Sequence, residues 1–223
     1  LPGESGGAIS SGGNSLAPVA TITPVTIDPG SDTGTAVSKT IQTLRGQISG
    51  LQQKLSANAQ RLADLRNAGA GAAASYQEAR AHITTRLQIG TTRGNPELVA
   101  EWNNAQTALD SLSGNINALN ALGNDVTGDA SAAHYALDQI DATYNVSGAV
   151  DEDHRQLSLL EDETDQTIVL IDRLLKEVSA DVQRQTAYVA NERGNLTTLA
   201  SAIKNGELYG ADLGSPGLTS GLV

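Results

Sequence analysis

The stretch LVAEWNNAQTALDSLSGNINALNALGNDVTGDASAAHYALDQIDATY, residues 98–144, decides the fold because one spacing rule runs through all of it. Leu98, Trp102, Ala105, Leu109, Leu112, Ile116, Leu119, Gly123, Val126, Ala130, Ala133, Leu137, Ile140 and Tyr144 are separated alternately by four and three residues. That step lays a narrow apolar seam along one side of an α-helix. Such a seam must be covered by other helices, and the flanking sequence supplies two.

Upstream, Val37, Ile41, Leu44, Ile48, Leu51, Leu55, Asn58, Leu62 and Leu65 follow the same rule. The register then lands on Gly69, Ala72, Tyr76, Ala79 and Ile83, so the tract NAGAGAAA reads as helix rather than loop. Gly69 and Gly71 are its weak point, each costing ~1 kcal/mol relative to Ala. Asn58 interrupts the apolar seam, a position where a buried Asn fixes the register of a coiled coil. Downstream, a third seam reads Val150, Leu157, Leu160, Thr164, Thr167, Ile171, Leu174, Val178, Val182, Gln185, Val189, Glu192, Leu196, Leu199 and Ile203. Two successive steps of four at Val178 and Val182 form a stutter that relaxes the supercoil locally.

The punctuation agrees with three helices over 35–89, 96–144 and 150–205. Between the first two, GTTRGNP places Asn95 as N-cap, Pro96 at the first helical position and Glu97 behind it. NVSGA follows the second, with Gly148 suited to a left-handed turn, and Asp151, Glu152 and Asp153 open the third where carboxylates suit the helix dipole. Glycines 114, 123 and 128 weaken the second helix and make GNDVTGD a candidate kink. At ~1.5 Å per residue each helix measures roughly 75 to 85 Å. Short turns and matched lengths imply an all-α, elongated antiparallel three-helix coiled-coil bundle.

Residues 1–34 carry Pro2, Pro18, Pro24 and Pro29 among Gly, Ser and Thr, which excludes helix. Within them VATITPVTI, residues 19–27, reads as a flexible leader or as an extended arm lying on the bundle or on a neighbour. Residues 206–223 form a Gly/Pro-rich tail.

The chain has 223 residues with no Cys, Met or Phe and a single Trp, so its core rests on Leu, Ile, Val and Ala. That suits a thin bundle better than a thick layered domain. No apolar run approaches the roughly 20 residues that span a bilayer. Absent cysteines remove disulfide and thiol chemistry, and a first residue other than Met reads as processing, so the expectation is an exported chain. The net charge of −11 is uneven: residues 1–95 carry eight basic and five acidic side chains, the remainder six and twenty. A basic first third can pack on an acidic remainder, which leaves no free basic stripe for nucleic acid.

Candidate chemistry is thin. His82, His134 and His154 fall on three helices without a partner at ligand spacing, so no metal site is expected, and neither is a cofactor. Asp151, Glu152, Asp153, Glu161, Asp162, Glu163 and Asp165 crowd one stretch, but they lack the calcium-loop pattern and the facing geometry of a carboxylate hydrolase. The expectation is a solvated face, or a partner for Arg45, Arg61, Arg66, Arg80 and Arg86 of the first helix. Trp102, Tyr144 and Tyr76 are the largest groups on the seams and are expected to seal the bundle. Val19, Ile22, Val25 and Ile27 of the arm, with Tyr188 and Tyr209 off the seams, are the candidate partner contacts.

The processed start, the cysteine-free helical region over 35–205 and the Gly/Pro tail resemble the periplasmic helical part of bacterial envelope proteins, alphaproteobacterial ones among them, of the kind that can carry an OmpA-like domain. That likeness implies an assembly or spacer role and brings no catalytic residues with it. Secreted pilus-tip or translocator-like proteins share the elongated bundle and the Ala/Gln/Asn-rich composition. BAR domains share the three-helix form, but the acidic later helices would be repelled by anionic lipid. The function expected from the sequence is a non-enzymatic structural module of the cell envelope, engaging protein partners or itself through arm and tail.

Overall fold

The computed structural model describes residues 22–208. Three helices follow one another: α1 (Ala36–Ile89), α2 (Pro96–Tyr144) and α3 (Asp151–Asn205). Each is continuous, so the Ala/Gly tract of α1 and the candidate kink of α2 are helical throughout. Thr35 caps α1 by accepting from the Ser38 amide at 2.9 Å, and Asn95 caps α2 by accepting from the Glu97 amide at 2.9 Å. At the start of α3 the cap runs the other way. Val150 has no side-chain acceptor, and Asp153 reaches back to its amide at 3.0 Å.

Contacts at the two ends establish the direction of each helix. At one end Thr33 and Thr35, just before α1, hydrogen-bond to Asp153 at the start of α3, so α1 and α3 run parallel. At the other end the α1–α2 turn caps α3: the amides of Thr91 and Gly94 donate to the carbonyls of Gly206 and Ile203, each at 2.9 Å. Gly206 is left-handed at φ 82°, and a Cβ there would sit 2.4 Å from the Thr91 carbonyl oxygen, so this close approach requires glycine. The result is an up-down-up bundle in which α2 touches both neighbours more extensively than they touch each other.

Charge reinforces that arrangement. α1 carries seven cations and two carboxylates, whereas α2 carries seven carboxylates and no Lys or Arg. Lys54–Asp129, Arg61–Asp125 and Arg86–Glu97 bridge the two, and His82 lies 3.8 Å from Glu101. Exposed pairs of this kind contribute under about 1 kcal/mol each, so they select partners more than they stabilise.

The seams differ from the sequence expectation in one systematic way. On α2, Leu98, Ala105, Leu109, Leu112, Leu119, Val126, Ala133 and Ile140 are buried as expected. Trp102, Ile116, Gly123, Ala130 and Leu137 are only half-buried, while Ala108, Asn115, Leu122, Asp129, Ala136 and Thr143 turn fully inward. Touching two neighbours takes a stripe wider than one seam, and its second edge lies one residue earlier than the apolar pattern indicates. Tyr144 consequently does not seal the bundle. It is 42 % exposed and its ring stacks on His154 at 4.7 Å, because Thr143 holds the inward position. Trp102 does close the opposite end in part, its indole N–H donating to the Leu196 carbonyl at 2.7 Å. On α3, Asp181 rather than Val182 faces inward at the stutter, and Val150 is exposed.

Candidate functional site

Two features stand out from the apolar seams: an extended arm bound along the rod, and polar rungs inside it. Residues 22–35 run without helix or strand between α1 and α3. Ile22 is buried in the first half of the core, and Ile27 packs against it. The backbone of the arm is held by side chains of the helices rather than by strand pairing. The Val25 amide donates to Gln52 of α1 and the Asp28 amide to Glu163 of α3, both at 2.9 Å. Gln156 donates to the Ser31 carbonyl at 3.0 Å, and Arg45 donates to Gln156 at 2.9 Å beneath it. Gly30 crosses this pair with φ 60°, where a Cβ would collide with the Arg45 guanidinium.

The arm then enters α1 through two turns of the same design. Asp28 accepts from the Gly30 amide at 2.7 Å and Asp32 from the Gly34 amide at 2.8 Å, with Gly34 at φ 75°. Asp153, fully buried, accepts from the hydroxyls of Thr33 and Thr35 at 2.6 and 2.9 Å. Asp153 and Glu163 are therefore not part of a solvated acidic face: both are inside, as the acceptors that fasten the arm. Of the arginines of α1 named as its partners, Arg45 does face that stretch, donating to Gln156 and favouring the charged form of Glu163, but the other four pair elsewhere. Arg61, Arg66, Arg80 and Arg86 find their carboxylates at Asp125, Asp181, Glu192 and Glu97, because helix register places those groups opposite them.

Of the six candidate contact residues, Ile22, Val25 and Ile27 lie against the chain's own helices. Tyr188 is half-buried, meeting Tyr76 edge to face at 6.2 Å and accepting from Gln77 at 2.6 Å. Val19 and Tyr209 lie outside the described residues. The structure also exposes Val146 and Val150 beside Tyr144 at the α2–α3 turn.

The rungs are polar groups at inward positions, each joining two helices. Gln52 donates to Thr167, and Asn58 donates to Asp129 at 3.0 Å, so Asn58 is paired across the seam as its position implies. Arg66, 7 % exposed, makes a two-pronged contact with Asp181 at 2.5 and 3.2 Å and lies 3.7 Å from Glu177. Next to it Asn115 donates to Gln185 at 2.9 Å, in space that exists because position 69 is glycine: a Cβ there would lie 2.9 Å from the Gln185 amide nitrogen. Tyr76 then donates to Glu192 at 2.5 Å, with Arg80 at 3.4 Å on the same carboxylate oxygen. Arg66, Gly69, Asn115, Asp181 and Gln185 form a polar waist between two separate apolar clusters, one reaching Leu62, Leu119 and Val178 and the other beginning at Tyr76, Leu112 and Val189.

These environments shift the carboxylates in opposite directions. Burial pushes Asp129 and Glu163 up, offset by Lys54 and by the Asp28 amide respectively. Burial also raises Glu161, helped by Asp141, Asp165 and Asp162. At the arm root the shifts are downward. Arg155 and Gln156 lower Glu152 to about 2, and the Gly34 amide and Ser38 hydroxyl lower Asp32. Asp153 is pushed up by its burial, yet the bonds from Thr33, Val150 and Thr35 outweigh that and hold it below its usual value.

A raised carboxylate costs stability above its folded pKa and recovers it on acidification. A lowered one contributes above its unfolded pKa and loses that as pH falls through the folded value. As the pH falls from 7, the expected melting temperature therefore first rises, as the raised carboxylates take up protons, and then falls, as the lowered ones do. Circular dichroism melts across that range check it; a steady fall from pH 7 downward contradicts the assignment.

Among the described residues no group of three His, Asp or Glu side chains is placed to hold a metal ion. No helix of the described residues is long and apolar enough to cross a membrane. A shallow depression of about 270 Å³ between α1 and α2, lined by Thr40, Thr43, Gln139 and Thr143 among others, contains no titratable side chain. No protein-family model, curated protein or solved structure matches the chain.

Proposed function

We propose that the chain is a non-enzymatic rod that holds two points a fixed distance apart within a larger assembly. The observation that carries this is parity. Three helices of 54, 49 and 55 residues bring the backbone in at one end, at Ala36, and out at the other, at Asn205. An even number of helices would return it to its starting end, whereas three displace it by about 80 Å. The inward stripes are covered within one chain, so the rod needs no partner to be complete. The setting we propose is the bacterial envelope, as an exported protein of the kind that can carry an OmpA-like domain. Support for that setting comes from the elongated bundle, the absence of cysteine and the Gly/Pro-rich composition at both ends.

The cysteine-free sequence allows a direct test. Spin labels on Thr92→Cys and Ser147→Cys, at the two turns, should report one narrow distance of about 75 Å. A distance below about 50 Å, or a broad distribution, removes the spacer reading.

A further inference from the structure

From Ile22 to Thr35 the arm is tied down at successive levels of the rod. The Val25 amide meets Gln52, which itself donates to Thr167 of α3. The Asp28 amide meets Glu163, the Ser31 carbonyl meets Gln156, and the Thr33 and Thr35 hydroxyls meet Asp153. On α3 these levels run from Thr167 back to Asp153, fourteen residues and hence about 21 Å. The arm therefore starts deep in the groove and climbs to the end of the rod, where Gly30 and Gly34, both at positive φ, turn the chain back into α1. Ile22, where the preceding chain joins, lies part-way along the rod rather than at its tip.

The ties are graded. Only Ile22 is buried among the side chains of the arm, and the amides of Val25 and Asp28 are each held by one acceptor. At the root two hydroxyls share the carboxylate of Asp153, which is 0 % exposed and also holds the Val150 amide where α3 begins. Stripping two donors from a buried carboxylate costs more than freeing one backbone amide. The arm is thus weakest where it begins and strongest where it enters α1.

We propose that the arm is a strap released by load: tension across the rod peels residues 22–32 out of the groove while the three helices stay folded. Tension that draws the preceding chain away from Asn205 pulls it toward the start of α1 and folds it back over its own arm. Contacts then break singly, first at Ile22, then at Val25, Asp28 and Ser31. The helices bear the same tension along their length, where seams and polar rungs are loaded together. Few buried contacts, loaded one at a time, make the arm the element that opens first. Freed, Val25 moves from about 21 Å inside the level of Asp153 to at most about 29 Å beyond it, eight peptide steps from Thr33. When the tension falls the arm returns, since its reversal is local in sequence and closing so short a segment costs little entropy. A strap of this kind presupposes the spacer role proposed above, because only a molecule that joins two points carries such a load. The rod keeps its own length throughout; what yields is the place where the preceding chain leaves it.

Pulling in optical tweezers tests this, with handles on Thr21→Cys, just ahead of the arm, and on Glu207→Cys, which is exposed. A reversible step of about 60 Å should precede the extension of roughly 500 Å in which the bundle unfolds. Handles on Lys39→Cys and Glu207→Cys bypass the arm and should give the large extension alone. Ile22→Ala should move the small step to lower force and leave the large one in place. The strap is overturned if the first event is the large extension, or if the small step persists with the handles on positions 39 and 207. It is equally overturned if Ile22→Ala leaves the force of the small step unchanged. None of these results alters the turn-to-turn distance read from the spin labels, so the rod and the strap are judged separately.

Discussion

Arg66→Leu should lower the stability of the rod by about 3 kcal/mol and its melting temperature by roughly 10 °C. Arg66 is the cation at the centre of the waist, with Asp181 at 2.5 Å and Glu177 at 3.7 Å. Removing it leaves a 1 % exposed carboxylate without its main partner, and an unpaired buried charge is far more costly than the pair was stabilising. The effect falls at the low end of the usual 3–5 kcal/mol because Arg184 still reaches Asp181 from the surface. The double variant Arg66→Leu, Asp181→Leu should recover most of the loss, since an apolar pair of similar volume is commonly neutral or better in such a site. Urea unfolding of the single and double variants decides the matter. A double variant less stable than Arg66→Leu alone contradicts the reading.

Tyr76→Ala carries the other large effect, about 4 kcal/mol. Tyr76 is 0 % exposed and the largest fully buried side chain, and it begins the second apolar cluster directly beside the waist. Truncation opens a cavity that rigid helices on three sides cannot collapse. Tyr76→Phe keeps the ring and loses only the hydroxyl, whose pKa burial and the neighbouring Glu192 push up. Its cost should be about 1 kcal/mol, because Glu192 retains Arg80 at 3.4 Å and Asn195 at 3.2 Å. If the two variants are equally destabilised, the hydrogen bond rather than the packing holds this site.

The bundle was legible in the sequence because a three-four step repeated over seven turns or more averages out local exceptions. The helices begin and end within one residue of the positions read from their caps, and Asn95 with Pro96 marks the second start correctly. What the pattern could not show is which of two adjacent residues faces inward. An apolar rule picks Ile116 over Asn115, Ala130 over Asp129 and Val182 over Asp181, since it disfavours a polar group whose partner sits on another helix. Gln185, Asn58 and Arg66 are those partners, and finding them requires the relative register of all three helices. The arm groove was hidden for a different reason. Gln52 and Glu163 recognise backbone amides, so the segment they bind carries no side-chain signature beyond its β-branched character.

Along α1 the rungs at Gln52, Asn58, Arg66, Gly69 and Tyr76 fall at unequal intervals. A uniformly greasy coil can slide by one heptad and lengthen or shorten by about 10 Å at little cost. Here the same slip would set Leu65 against Asp129 and drive the Tyr76 ring into the space that Gly69 leaves for Asn115 and Gln185. Only one phase of the three strands satisfies every notch, so the molecule has a single length, as a gauge must.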